Sequence, residues 1–206
     1  FVPPAESPSK MGGKVLFEEP FVGQLDASWK THVSSSHPRS SFSNEGKPGE
    51  IYTFPNTAVY AERAWPAGGA TVEVKLDTGD DTQSNSWGPG LALLASDRGI
   101  TFIARPNYQR YEVNGAVQNA AFDRAKPVYL RIRIENKRAR CEASQDGKQF
   151  KLIATVDWPN APTALRVGKV GPNGVDYPDV KNEQLIRCHV LHVGVYGAEP
   201  VDRAPV

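Results

Sequence analysis

The sequence is poor in cysteine, in methionine and in any surplus of charge of one sign. Its 206 residues include two cysteines and one methionine, and 24 Lys and Arg nearly balance 23 Asp and Glu, which leaves a formal net charge of +1. Because neither sign dominates, the chain exerts no general attraction on nucleic acid or acidic lipid. No apolar run approaches the ~20 residues that span a bilayer. We therefore expect neither a nucleic-acid partner nor insertion into a membrane.

The sequence motifs of several enzyme classes are also missing. No Gly-rich phosphate loop follows a strand, no serine lies in a Gly-x-Ser-x-Gly elbow, and no cysteine pair has zinc spacing. The two cysteines, Cys141 and Cys188, lie in strand-like segments and are compatible with one disulfide or with two buried thiols. The sequence therefore shows no cofactor motif and leaves the cysteine pairing open.

Turn-forming residues are abundant, with 18 glycines and 17 prolines, and they separate many short segments. About a dozen segments alternate apolar and polar residues, which is the period of a β-strand, and none has the period of a helix. This pattern predicts an all-β fold, a two-sheet antiparallel β-sandwich or jelly roll. We expect a single β-sandwich domain over residues 14–200, between a flexible N-terminal tether at 1–13 and a C-terminal tail at 201–206.

One polar segment and the start of the chain give two further expectations, a loop and a cellular location. Residues 32–49 are rich in Ser, Pro, His and Asn, which predicts a long loop. The chain begins at Phe1 without a visible export signal, and a segment upstream is one place where such a signal fits. The expected location is extracellular or periplasmic.

Residues 128–156 hold the clearest pattern in the chain. Apolar residues occupy every even position of 128–135, the alternation continues through 138–144, and Asp146-Gly147 predicts a hairpin turn before 150–156. We expect a three-stranded antiparallel meander. Its core face is expected to carry Val128, Leu130, Ile132, Ile134, Ala139, Cys141, Ala143, Phe150 and Leu152. Its other face carries Tyr129, Arg131, Arg133, Arg140 and Glu142.

The arginines of this second face allow two interpretations. They either bind an anionic glycan or pair with the acidic residues Glu73, Glu135 and Glu142 across the sheet. Cross-strand pairing is the favoured interpretation.

Four groups of residues follow one another along the chain. They are Phe17-Glu18-Glu19-Pro20-Phe21 with 25–29, Trp87-Gly88-Pro89-Gly90-Leu91, 130–133 with 144–150, and Val193-Gly194-Val195-Tyr196-Gly197. In order and spacing they resemble the concanavalin A-like lectin/glucanase superfamily, in particular its laminin-G-like and DUF1349-type bacterial jelly-roll domains. The resemblance implies two curved sheets, adjacent first and last strands, and a concave face that binds glycans in many relatives. It also implies a structural Ca²⁺ near the paired termini, for which this chain offers Glu18, Glu19 and Asp202.

Hydrolases on this fold place acidic residues at alternate positions of one strand, and the nearest candidates here are Glu73 and Asp77. Four residues separate them, or roughly 13 Å at the rise of a strand. A retaining pair requires about 5 Å and an inverting pair at most about 9.5 Å. This strand alone therefore does not supply a catalytic pair, although carboxylates from different strands remain an alternative.

Two other kinds of chemistry have candidate residues. A lyase site on this fold draws on Tyr, His and Arg, for which the sequence offers Arg105, Tyr108, Arg110, Tyr111, His32 and His37. A metal site is less well supported, because His189 and His192 lie three apart on one strand and point to opposite faces unless the strand bulges.

Recognition of a glycan requires an aromatic ring that stacks on a sugar and fixed polar groups that bind its hydroxyls, and acidic sugars add a need for arginine. Trp29 and Trp158 are expected in the core. The candidate glycan-binding residues are Trp65, Trp87, Arg105, Tyr108, Arg110 and Tyr111. The sequence thus predicts a non-catalytic carbohydrate-recognising or accessory module of a secreted protein. A glycan-active hydrolase or lyase is the alternative, and a structural or adhesive domain that contacts protein is the third.

Overall fold

The computed structural model describes residues 13–33, 39–55, 57–79, 81–82, 87–171 and 184–198. Within these residues there are fifteen β-strands and no helix, so no described helix is long and apolar enough to cross a membrane. The strands are β1 (Val15–Glu19), β2 (Lys30–Val33), β3 (Ser41–Ser43), β4 (Glu50–Thr53), β5 (Val59–Ala64), β6 (Gly69–Asp77), β7 (Gly90–Leu94), β8 (Gly99–Arg105), β9 (Arg110–Val113), β10 (Ala116–Ala121), β11 (Val128–Glu135), β12 (Arg138–Ser144), β13 (Lys151–Asp157), β14 (Ala164–Lys169) and β15 (Ile186–Gly197).

The strands form two antiparallel sheets. Sheet A has the order β13-β12-β11-β6-β15-β4-β3, and β1 pairs with β15 on the same side as β4. Sheet B has the order β10-β9-β8-β7-β14-β5-β2. The first and last strands are therefore neighbours, as the resemblance implied. The predicted two-sheet antiparallel β-sandwich is confirmed.

The core lies between the two sheets, where the apolar sides of their strands meet. Leu130 of sheet A and Leu91 of sheet B are fully buried in the same apolar cluster. Burying a leucine side chain contributes about 1.5–3 kcal/mol relative to leaving it exposed. Trp29 and Trp158 also belong to this cluster, as expected. Because each strand buries one side, its other side is left to form an outer face.

The predicted meander is present as β11, β12 and β13, which are adjacent in sheet A. Asn136 and Lys137 both have positive φ, 53° and 59°, which is typical of the type I′ turn that joins two strands in a tight hairpin. The second connection is longer than the predicted two-residue turn. There Asp146 Oδ1 accepts hydrogen bonds from the backbone N of Lys148 at 2.8 Å and of Gln149 at 2.9 Å.

Two residues that were expected in the core lie on the outer face of sheet A instead. The pairing of β12 with β13 shifts register between Cys141 and Glu142, so that Leu152 pairs with the outward-facing Glu142. Leu152 is 46% exposed. Phe150 packs against the guanidinium of Arg131, 3.7 Å from the ring centroid. A one-residue shift moves a strand's side chains to the opposite face, and the prediction for these two residues was wrong for that reason.

Other departures concern loops and termini. The predicted loop at residues 32–49 contains all of β3 and the end of β2, and β10 was not anticipated. Short strands in a polar stretch show little apolar periodicity. Whether such a segment forms a strand depends on the strand with which it pairs, and the local sequence does not show that partner. Residues 1–12 and 199–206, which hold most of the predicted tether and all of the predicted tail, lie outside the described residues.

Cys141 and Cys188 are two buried free thiols. Cys141 lies on β12 and Cys188 on β15, with β11 and β6 between them in sheet A. The three inter-strand spacings alone amount to about 14 Å, roughly twice the Cα distance that a disulfide spans. Burial raises the pKa of each thiol to about 12, so neither forms a reactive thiolate near neutral pH.

Candidate functional site

Arg105, Tyr108 and Arg110 come together where β8 turns into β9. Arg105 ends β8, Tyr108 lies in the connecting turn, and Arg110 begins β9 directly opposite Arg105. Ala104 and Tyr111, the next pair along the hairpin, face the core. Because side chains alternate along a strand, the two arginines lie on the outer face of sheet B. We call the outer surface formed by Arg105, Tyr108, Arg110 and Glu112 the β8–β9 surface.

A buried carboxylate holds Arg105 in place on this surface. Nη1 of Arg105 lies 2.8 Å from Oε2 of Glu112, whose side chain is only 2% exposed. The guanidinium also lies 4.6 Å from the ring centroid of Tyr108. Charge-assisted hydrogen bonds of this kind are short and directional. The ion pair therefore fixes Arg105, and Arg105 in turn supports the ring of Tyr108.

Tyr108 is the exposed aromatic residue of the β8–β9 surface, with 46% of its surface accessible. Arg110 donates a hydrogen bond from Nη1 to the backbone O of Gln109 at 3.0 Å. Gln109 has a φ of 50°, so the backbone at this corner takes a left-handed conformation. The arrangement presents one accessible ring next to two planar cationic groups.

The other three predicted binding residues are placed differently. Tyr111 is buried in the core against Phe122, at 5.1 Å between ring centroids, and burial raises its pKa to about 12. Trp87 is at the same end of sheet B as the β8–β9 surface but is 4% exposed. It belongs to a small apolar cluster that also contains Ala58, Tyr60, Ala92, Ile103 and Val170. Neither Tyr111 nor Trp87 has an accessible ring face with which to stack on a sugar.

Trp65 is at the opposite end of sheet B. It follows β5, and its backbone N donates to the O of Thr163, next to the start of β14. Its indole Nε1 donates to the backbone O of Gly69 at 3.3 Å, and the ring packs on this glycine, which has no room for a side chain. β8 begins at this end with Gly99, and Arg105 lies six residues further along the strand, or about 20 Å away. Trp65 is therefore not part of the β8–β9 surface.

Sequence reasoning missed a second polar group on the outer face of sheet B. The rings of His32 and Tyr60 stack at 4.7 Å with an interplanar angle of 17°. The guanidinium of Arg166 lies 4.7 Å from the Tyr60 centroid and forms an ion pair with Glu62. Glu62 and Arg166 are 104 positions apart in sequence. Only the pairing of β5 with β14 brings them together, and no local signal predicts it.

The residues proposed for a lyase do not converge. Tyr111 faces the core, and His32 lies on β2, four strands away from β8 in sheet B. Four inter-strand spacings amount to about 19 Å. His37 lies outside the described residues. Among the described residues, these side chains therefore do not form one proton-transferring cluster.

No described strand carries two acidic residues two positions apart. On the outer face of sheet A, Glu18 of β1 and Glu73 of β6 both pair with Gly194, which lies between them on β15. The ring of Tyr196 packs over Gly194, and its hydroxyl donates to Oε1 of Glu18 at 3.3 Å. Tyr196 is 3% exposed, and its pKa is raised by burial and by the two carboxylates. The tyrosine thus occupies the space that a sugar needs between a pair of catalytic carboxylates.

The arginines of the meander pair with the acidic residues of this face, as favoured from the sequence. Nε of Arg131 lies 3.1 Å from Oε1 of Glu142, and its Nη1 lies 4.0 Å from Oε2 of Glu73. All three side chains are at most 7% exposed. Arg133 and Arg140 lie 3.9 Å and 3.8 Å from Glu135, respectively. The arginines of the meander are therefore engaged within the sheet.

Burial raises the pKa of Glu73 to about 7, although the charge of Arg131 opposes that shift. The folded state therefore binds a proton more tightly than the unfolded chain between pH 4.5 and 7. The stabilisation from this proton is present at low pH and is lost as the pH rises through 7. His192, whose pKa is lowered by burial, titrates with the opposite sign, so the wild-type curve alone does not isolate Glu73.

We expect Glu73→Gln to flatten this dependence. Between pH 5 and pH 8, the wild-type protein should lose about 1–3 kcal/mol of unfolding free energy relative to the variant. Urea titrations of both proteins at several pH values measure the difference. Parallel curves for the two proteins would show that Glu73 titrates in the folded state as it does in the unfolded chain.

A β-bulge changes the prediction for the histidines. The pairing of β15 with β6 shifts between Val190 and His192, which leaves Leu191 as the extra residue. His189 and His192 consequently lie on the same outer face, since they pair with Asp77 and Lys75. Within the part of the chain that the structure describes, no three His, Cys, Asp or Glu side chains are grouped to hold a metal ion.

The predicted calcium ligands are likewise apart. Glu18 pairs with Gly194 on the outer face, whereas Glu19 is buried and accepts a hydrogen bond from the backbone N of Phe21 at 2.8 Å. Successive residues of a strand point to opposite faces, so these two side chains point away from each other. Asp202 lies outside the described residues.

Comparison with known proteins shows that the chain is similar in fold to several solved structures. No protein-family model and no curated protein matches the chain. Among solved structures, the GH43 protein BlXynB from Bacillus licheniformis is similar with a TM-score of 0.63 and 13% identity, over 87% of this chain and 39% of that one. A Crh5 transglycosylase in complex with NAG has a TM-score of 0.61 and 13% identity, over 92% and 88%. The laminarinase catalytic domain from Thermotoga maritima has a TM-score of 0.61 and 11% identity, over 92% and 100%.

The chain spans about two fifths of the length of the GH43 protein and nearly the full length of the other two structures. At these identities the similarity shows the fold alone. No family match supports the finer laminin-G-like or DUF1349-type assignment. The chain has the antiparallel β-sandwich fold that these glycoside hydrolase and transglycosylase structures share.

Proposed function

We propose that the chain is a non-catalytic glycan-binding module and that the β8–β9 surface is its binding site. The observation that carries this proposal is the exposed ring of Tyr108, supported by Arg105, which the buried Glu112 holds at 2.8 Å. A ring that is fixed before binding loses little conformational entropy when a sugar stacks on it. A sugar ring binds weakly and stacks through one flat face, so it requires aromatic and planar donor groups that are already in position.

The chemistry of the three side chains suits a pyranose. The face of a sugar ring that carries axial hydrogens is apolar and packs on an aromatic ring, whereas its equatorial hydroxyls need directional hydrogen-bond partners. Arg105 and Arg110 flank Tyr108 and supply planar N–H donors. The fold supports the same conclusion, because structures that share it are named for activities on glycans.

The absence of an acid pair on the described strands favours binding over hydrolysis. Among the described residues, Glu73 is the carboxyl group with the raised pKa that is typical of a general acid, and its possible partner Glu18 lies across Gly194. Because Tyr196 fills the space between them, we favour a structural role for this pair. A glycan-active enzyme on sheet A is the second candidate function, and Glu73→Gln would abolish its activity.

An array of neutral and acidic polysaccharides tests the proposal. The purified chain is applied with calcium or with a chelator, and each well is read both for retained protein and for shortened glycan. We expect retention without shortening. Shortening that Glu73→Gln removes would support the enzyme instead, and no retention on any glycan would leave a structural or protein-contacting role. An extracellular or periplasmic location, where such polymers occur, and a structural Ca²⁺ both stay predictions.

A further inference from the structure

Arg105 and Arg110 form a like-charge pair across the β8–β9 hairpin. They are directly opposite each other, on the outer face of sheet B. Residues in this relation have Cβ atoms about 4.5–5.5 Å apart, and like charges at that separation destabilise a sheet. The hairpin therefore keeps two cations together at a solvent-accessible corner, where a neutral residue at either position would avoid the repulsion.

The described residues neutralise only one of these two charges. Glu112 pairs with Arg105 at 2.8 Å. Arg110 instead donates to the backbone oxygens of Gln109 and Tyr108, and none of the ion pairs formed among described side chains includes it. These hydrogen bonds are to neutral carbonyl groups and do not offset its charge.

The adjoining loop does not supply the missing negative charge. It approaches the turn through Arg124, whose backbone N donates to Oε1 of Gln109 at 3.3 Å. The carboxylate of the neighbouring Asp123 accepts a hydrogen bond from the backbone N of Ala125 at 3.0 Å. Among the described residues, no carboxylate therefore pairs with Arg110, which lies beside the exposed ring of Tyr108.

We propose that the β8–β9 surface selects glycans whose sugars carry an anionic group, a carboxylate or a sulfate, and that Arg110 contacts this group. The inference rests on the proposed function and names its ligand class. A guanidinium presents parallel N–H donors that match two oxygens of a carboxylate or sulfate. Stacking on Tyr108 holds the sugar ring, and its anionic substituent relieves the repulsion between the two arginines.

Two matched pairs of polysaccharides test the charge preference. Polygalacturonate is compared with its fully methyl-esterified form, and dextran sulfate with dextran, since each pair differs in charge and shares a backbone. We expect at least one charged polymer to bind about tenfold or more tightly than its neutral form, as a charge-assisted hydrogen bond predicts. The pair that shows the difference identifies the group as carboxylate or sulfate.

The variant Arg110→Gln isolates the residue, because glutamine keeps hydrogen-bond donors and loses the charge. It should reduce the preference for the charged polymer over its neutral form to about twofold or less. Arg138→Gln is the matched control, since Arg138 is an exposed arginine at the start of β12 in sheet A. It should leave the preference unchanged.

Three outcomes would overturn the inference. If neutral and charged forms bind equally, the ligand class is wrong while the proposed function stands. If Arg110→Gln and Arg138→Gln weaken binding equally, the preference is non-specific attraction to a polyanion. If no polymer of either kind binds, the proposed function fails and the inference fails with it.

Discussion

Arg131→Ala is expected to lower the free energy of unfolding by about 3 kcal/mol at pH 8. The guanidinium is 4% exposed and lies 3.1 Å from Glu142 and 4.0 Å from Glu73. Removing it leaves the buried carboxyl group of Glu142 with only the more distant Arg140, at 4.0 Å. The stacking of Phe150 on the guanidinium is lost at the same time. Urea unfolding of both proteins measures the change.

Two comparisons separate this network from ordinary surface pairing. Arg138→Ala removes an exposed ion pair with Asp157 at 4.0 Å and should cost less than about 1 kcal/mol. Glu142→Gln introduced into Arg131→Ala should recover part of the lost stability, because it removes the stranded charge. If Arg131→Ala costs no more than Arg138→Ala, the buried network does not contribute as described.

Tyr108→Ala should weaken glycan binding about 30-fold or more. Aromatic residues at the centre of a binding surface commonly contribute 2 kcal/mol or more when truncated. Because Tyr108 is 46% exposed, its loss should change the unfolding free energy little. Isothermal titration with the best glycan from the array measures the affinity, and urea unfolding measures the stability.

Tyr129→Ala is the matched control for this variant. Tyr129 is a half-buried tyrosine on the outer face of sheet A, with the ammonium of Lys75 at 5.6 Å from its ring. Its truncation should leave glycan affinity unchanged, and Tyr108→Phe should retain most of the affinity because it keeps the ring. Equal losses in Tyr108→Ala and Tyr129→Ala would place the binding site elsewhere.

The sheets were predictable from sequence where a strand is long and alternates strictly. The eight residues of β11 place Leu130 and Ile132 in the core and Arg131 outside without ambiguity. The same alternation predicted that Arg131 pairs with carboxylates of its neighbours. Local periodicity carries this information because the side-chain period of a strand is two.

The candidate site was predictable only in part, because β9 has just four residues. Arg110 and Tyr111 are adjacent, and an amphipathic arginine and an aromatic ring fit either face of so short a strand. The pairing with β8 decides that Tyr111 joins Ala104 in the core and that Arg110 meets Arg105 outside. Glu112 went unnoticed for the same reason, although it lies two residues from Arg110 and so shares its face.

Irregularities of pairing explain the remaining differences. The bulge in β15 puts His189 and His192 on one face, and the register shift between β12 and β13 turns Leu152 outward. A bulge depends on the register of two strands that are distant in sequence, so the pattern of one strand does not reveal it. The stack of His32, Tyr60 and Arg166 also depends on strands that are distant in sequence, since three separate strands contribute to it.

Amide hydrogen exchange with and without a bound glycan tests the central claim most directly, since it locates the ligand on the chain. The account predicts slower exchange in residues 105–112, the segment that contains the β8–β9 surface. It also predicts no shortening of the glycan in the same sample. Protection over β6 and β15 on the outer face of sheet A, together with release of shorter glycan, would contradict it and would place an enzyme site at Glu18 and Glu73.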